Sequence, residues 1–148
     1  MIRLQVVVLG IGNELRRDDG IGPVIAQALV KSGKINAIDC ATAPENFLGT
    51  IKKLKPKKII MVDACDFGGT PGEFRLFSLA ELEKMPWATV STHTLPLSLM
   101  GTLIKKEVGC PVELLGIQPE SVVFGEGLSK SVSRAKQKVL DFLVKLES

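Results

Sequence analysis

Short apolar runs alternate with stretches of helical spacing along the whole chain, and few folds accept that order. Leu4 to Leu9 is nearly continuous in apolar residues, the pattern of a strand buried on both faces. Ile21, Val24, Ile25, Ala28 and Leu29 then fall at helical spacing, with Pro23 tolerable in a first turn and Gly33 as the stop. Ile35 to Asp39 reads as a short second strand, Asn46 to Leu54 as a helix ended by Lys55-Pro56, and Lys58 to Val62 as a third strand closing on Asp63. After the turn Gly68-Gly69-Thr70-Pro71-Gly72, Glu73 to Phe77 is a strand suited to a sheet edge. Leu79 to Met85 is a short helix, and a further helix begins at Pro96 and closes at Gly109. Val112 to Ile117 is the last strand. Ser129 caps a final helix whose stripe of Val132, Ala135, Val139, Phe142, Leu143 and Leu146 lies opposite Lys130, Arg134, Lys138 and Lys145. This order predicts an α/β three-layer sandwich: a mostly parallel, twisted sheet of about five strands with helices on both faces.

No composition break, repeat or low-complexity segment interrupts the pattern, so one domain is expected over residues 1–148. A net charge of +3 does not mark a nucleic-acid binder, and the basic run Lys52 to Lys58 suits a solvated helix end. No run reaches the roughly 20 apolar residues of a membrane span. The chain enters its first strand without a charged leader, and Cys40, Cys65 and Cys110 form neither an even set nor a CxxC. A cytoplasmic protein without disulfides is expected. The small size and the lack of a heptad seam predict a monomer.

In such sheets, ligands collect at the carboxyl ends of the strands. Three residues head for that rim: Asp19 in the loop after the first strand, Asp63 at the end of the third, and His93, the sole histidine, before the helix at Pro96. Two carboxylates and an imidazole suit a borderline-hard divalent metal with room for water or substrate. Asp39, ending the second strand, is a further candidate on the same rim. Each residue also has a plainer reading, Asp19 as a helix cap and His93 as a surface or core side chain. Asp63 resists it, because its strand is apolar up to the carboxylate and burying that charge is costly.

The Gly-rich stretch is not a nucleotide loop. Position 15 is Leu15 where the dinucleotide fingerprint needs glycine, Asp18 and Asp19 would repel phosphate, and no Gly-Lys-Ser/Thr follows. Gly10 and Gly12 instead suggest a tight backbone turn beneath a bound group. A magnesium-dependent phospho-receiver module also gathers acids after its first and third strands. Here the acid pair sits nine residues beyond Leu9, and the last strand leads to Gln118-Pro119-Glu120 with no lysine for a phosphoryl group.

The set Gly10-Ile11-Gly12-Asn13…Asp18-Asp19-Gly20-Ile21-Gly22-Pro23, Val62-Asp63-Ala64, Thr92-His93 and Gly116-Ile117-Gln118-Pro119-Glu120 resembles the hydrogenase maturation proteases. Ala43-Pro44-Glu45-Asn46 and His93-Thr94-Leu95-Pro96-Leu97 are most similar to the hydrogenase 3 type of endopeptidase, and the likeness runs from the first strand to the last helix. The resemblance implies removal of a C-terminal extension from the large-subunit precursor of a nickel-iron hydrogenase after nickel insertion. It also implies nickel contact through Asp19, Asp63 and His93. On this view nickel arrives with the substrate, no organic cofactor is needed, and the partner is the precursor. The chain departs from the family after its second strand, with Asp39-Cys40-Ala41 in place of Asp-Gly-Gly. The backbone there is therefore expected in conformations that a Cβ allows.

Two mechanisms follow. Nickel could polarise the scissile carbonyl or acidify a bound water. Alternatively it serves only as a recognition handle while Asp19, Asp39 or Asp63 acts as general base. No Asp-Thr-Gly pair supports a pepsin-like dyad, Ser91 has no spare histidine to activate it, and Cys40 reads as a packing residue. A non-enzymatic escort that binds nickel during hydrogenase assembly would use the same ligands.

Overall fold

The computed structural model describes residues 4–85 and 96–148. Five strands form one sheet: β1 (Val6–Gly10), β2 (Asn36–Asp39), β3 (Lys58–Ala64), β4 (Phe74–Ser78) and β5 (Val112–Ile117), in the order β2-β1-β3-β5-β4. β2, β1, β3 and β5 are mutually parallel, and β4 joins the edge antiparallel to β5. The turn from Gly68 to Gly72 returns the chain beside β5, which is why the edge strand alone reverses direction.

Alternate side chains of each strand feed two cores. Val6, Val8, Ile60, Val62, Leu115 and Ile117 pack against α1 (Ile21–Ser32) and α5 (Lys130–Glu147) through Ile21, Ile25, Leu29, Val132, Val139 and Leu143. Val7, Leu9, Ile59, Met61 and Leu114 face the opposite layer. That layer holds α2 (Leu48–Leu54), α3 (Leu79–Glu83) and α4 (Leu97–Val108), through Ile51, Leu82, Leu97, Met100 and Ile104. Each such fully buried branched side chain contributes about 2 kcal/mol. The expected three-layer α/β architecture is observed.

Element ends follow local chemistry. Ser129 accepts a hydrogen bond from Val132 N at 3.4 Å to start α5, and Ser78 with Glu81 forms a capping box on α3. Gly33 and Gly109 close α1 and α4 in the left-handed conformation. The helix expected over 46–54 is two pieces, a 3-10 turn over Pro44–Phe47 and then α2, because Pro44 sets the first turn and its hydrogen bonds close tightly. Among the described residues no helix is long and apolar enough to cross a membrane, and all three cysteines are buried and free.

Candidate active site

β1 has β2 on one side and β3 on the other, so the sheet changes direction of winding between β1 and β3. A crevice opens at the carboxyl ends of strands at such a point. The loop leaving β1 crosses it: Ile11 N donates to Val62 O of β3 at 2.9 Å, and Gly12 N donates to Ala41 O beyond β2 at 2.8 Å. The chain then makes a 3-10 turn, Arg17–Gly20, that carries Asp19. This turn packs on β3, the strand that carries Asp63.

Close backbone approach makes this seating work. A Cβ on Gly22 would overlap the carbonyl oxygens of Ile11 and Val62, one on Gly10 would strike Gly22 O, and one on Gly12, at φ +149°, would overlap Asp19 O. The glycines expected beneath a bound group therefore serve to set the start of α1 and the Asp19 turn against the strand ends.

Asp19 is 3% exposed and Asp63 1% exposed. The Asp19 carboxylate accepts from Asn13 N at 2.9 Å, which fixes its Oδ2. Asp63 continues the Ile59 and Met61 row of β3 and so faces the α2–α4 layer. Two acids expected together thus sit on adjoining segments of one rim. His93 lies outside the described residues, as do Thr92 and Thr94. Among the described residues no group of three or more His, Cys, Asp and Glu side chains could hold a metal.

Asp39 shares the rim, paired in register with Gly10, but both its oxygens are engaged. Oδ1 accepts from Ala41 N at 3.0 Å and Oδ2 from Gln27 Nε2 at 2.9 Å. It lines a cleft of about 400 Å³ with Gly12, Asn13, Glu14, Pro23 and Thr42. Ala41 sits at φ 49° in the left-handed region. The expectation that this loop avoids such conformations is corrected. The fold keeps a glycine-type backbone, held by the Asp39 and Gly12 hydrogen bonds, and alanine bears the strain.

Asp18, the first acid of the pair, is a structural carboxylate. Fully buried, it accepts at Oδ1 from Ser129 N (2.7 Å) and at Oδ2 from Glu120 N (2.9 Å), Ser121 N (3.1 Å) and Ser129 Oγ (2.8 Å). It fastens the β1–α1 loop to the β5–α5 loop and to the cap of α5. Gln118 plays the same part nearby: its Oε1 accepts from Phe67 N and Gly69 N, and its Nε2 donates to Asp66 Oδ1. The partners lie about a hundred residues from Asp18 and about fifty from Gln118, so only the side-by-side Asp18-Asp19 and the Gly-Ile-Gln-Pro-Glu run signalled them.

No thiol nucleophile is present at this rim. Burial pushes Cys40 up to about 12, helped by the charges of Asp39 and Glu45, and burial with Asp63 and Asp66 pushes Cys65 up to about 12. Cys40 is a packing residue in the α2–α4 core.

Known proteins agree with this architecture. The hydrogenase maturation protease family matches residues 23–146. The hydrogenase 3 maturation protease of Escherichia coli K12 is 36% identical over 135 residues, covering 90% of this chain and 85% of the relative. The crystal structure of a [NiFe] hydrogenase maturation protease from Thermococcus kodakarensis KOD1 superposes with a TM-score of 0.81 at 31% identity, over 97% of this chain and 92% of that one. The solution structure of an endopeptidase from Escherichia coli gives 0.83 at 33% identity, over 98% and 92%. Family match, identity and fold coincide over nearly the whole length, and the chain belongs to the hydrogenase maturation proteases, peptide hydrolases that act as hydrogenase maturation endopeptidases.

Proposed function

We propose that this endopeptidase removes the C-terminal extension from the large-subunit precursor of a nickel-iron hydrogenase, once nickel is in place. In this reading Asp19, Asp63 and His93 contact the nickel that the precursor carries. The observation that carries it is the seating of two buried carboxylates, Asp19 and Asp63, on adjoining backbone segments at the winding reversal of the sheet. Carboxylate oxygens with one imidazole are a donor set for a borderline divalent ion, and the absence of thiolate from the set suits transient contact better than a closed structural site.

Nickel here belongs to the substrate. Held by Asp19, Asp63 and His93, it would supply Lewis acidity to the cleavage. The chain's own residues bind and orient. Asn13 N holds one oxygen of Asp19, the Asp18 clasp holds the turn on which Asp19 rides, and the rigid end of β3 holds Asp63. A precursor lacking nickel offers these carboxylates nothing to bind, so loaded precursor is selected by differential affinity. The test is to mix the protein with nickel-loaded and with empty precursor and follow mass. Loss of the tail from the loaded form alone supports the reading. Equal cleavage of both forms refutes nickel selection, and binding without any cleavage refutes precursor proteolysis.

A further inference from the structure

Beside the Asp19 turn stand three large apolar side chains in the open: Leu15 (57% exposed), Val123 (63%) and Phe124 (76%). They come from two loops far apart in sequence, which the fold clamps together. Gly125 N donates to Leu15 O and Arg17 N to Gly125 O, both at 2.9 Å, and Asp18 N donates to Ser121 O at 3.0 Å. The Asp18 carboxylate adds its hydrogen bonds to Glu120, Ser121 and Ser129. The Arg16 guanidinium lies 5.3 Å from the Phe124 ring centre, a cation–π stack that steadies the ring while leaving it exposed. A rigid apolar ridge in water is a recognition surface when it is rimmed by charge, and aromatic and arginine residues dominate such contacts.

A mixed cleft of about 330 Å³ adjoins the ridge, lined by Leu15, Arg17, Gly20, Val24 and Leu128 together with Glu14, Glu126 and Gly127. Gly20 follows Asp19 directly, so the cleft wall and the candidate site share backbone. Positive charge stands at the ridge as well, with the Arg16 guanidinium over Phe124 and Arg17 in the cleft wall beside Glu14 and Glu126.

We propose that this ridge and cleft dock the precursor itself: a segment of the substrate polypeptide that lays a large apolar side chain against Leu15, Val123 and Phe124. Continuity with the Asp19 turn argues for the substrate as occupant, since a polypeptide held at Asp19 reaches the ridge without leaving the same loop. The pre-ordered loops lower the entropy cost of engagement. The inference rests on the precursor reading of the site and adds where the protein body, rather than the metal, is read.

The test compares wild type, Phe124→Ser, Leu15→Ser and the control Val30→Ser, a comparably exposed apolar residue of α1 away from the ridge. Precursor Kd, KM, kcat and Tm are measured for each. Phe124→Ser is expected to raise Kd and KM about tenfold, with the loss on KM rather than kcat and Tm unchanged, while Val30→Ser matches wild type. Unchanged Kd and KM in both ridge variants overturn the proposal, as does a loss explained by a fall in Tm. If wild type binds precursor but cuts nothing, the protease reading fails and Kd still judges the ridge. If it neither binds nor cuts, both fail.

Discussion

Replacing Asp18 by asparagine keeps the size of the side chain and removes its charge and half of its acceptors. Four donors converge on the carboxylate: the amides of Glu120, Ser121 and Ser129 and the Ser129 hydroxyl, at 2.7–3.1 Å. Each is a bond to an ionised group, individually about 1.5–3 kcal/mol but not additive. The carboxamide can accept at one oxygen only, and its NH2 turns toward donors, so at least one buried amide loses its acceptor at a cost of about 1–3 kcal/mol. Together with the weakening of the retained bonds, the expected loss is about 3 kcal/mol, which corresponds to a fall in Tm on the order of 10 °C for a chain of this length. Urea unfolding followed by circular dichroism measures it as a lower midpoint at unchanged slope. Ser129→Ala should cost about 1–2 kcal/mol through the lost cap and the lost bond to Asp18, and the double variant should lose less than the sum. An Asp18→Asn protein within 1 kcal/mol of wild type, or strict additivity with Ser129→Ala, would refute the clasp.

Ala41→Gly is expected to raise stability by up to about 1 kcal/mol, since relief of the left-handed alanine at φ 49° exceeds the added chain entropy of glycine; an unchanged or lower urea midpoint counts against strain there. Gly22→Ala should cost about 3 kcal/mol and abolish precursor processing, because its Cβ would meet the rigid carbonyls of Ile11 and Val62; a well-folded, active variant would show that α1 can shift. Cys40 and Cys65 should resist iodoacetamide in the native protein at pH 8, with on the order of one thiol in ten thousand ionised, and react once urea unfolds the chain; mass spectrometry counts the adducts. Above the ordinary thiol value of 9.0 the unfolded state sheds protons that the folded thiols keep up to about 12, so stability present below pH 9 should decline by about 1.4 kcal/mol per pH unit per thiol, and a flat profile from pH 9 to 11 would contradict that burial.

What the bare chain reveals here follows from which interactions are local. The apolar runs that become β1, β3 and β5, the stripe of α5 and the turn before the reversed edge strand are read from spacing alone, because each is decided within a few residues. The rim position of Asp19 and Asp63 follows from topology, since strands of a parallel sheet end on one side. The tasks of Asp18 and Gln118 were hidden because their partners are distant in sequence and polar, and polar contacts leave no periodicity. The glycines at 10 and 12 misled in a useful way: their need for close approach was visible, but whether ligand or helix came close was not. Ala41 shows the reverse limit, where the surrounding hydrogen bonds impose a backbone that the residue type disfavours.

The proposed function requires that Asp19, Asp63 and His93 engage the nickel presented by an unprocessed large subunit. Affinity of wild type and Asp63→Asn for nickel-loaded and for empty precursor, with tail release followed in parallel, tests this most directly. Wild type should bind the loaded form at least about tenfold more tightly and cut it, and Asp63→Asn should lose both the preference and the cleavage. A variant that keeps the preference for loaded precursor and processes it at a near-normal rate would contradict the assignment.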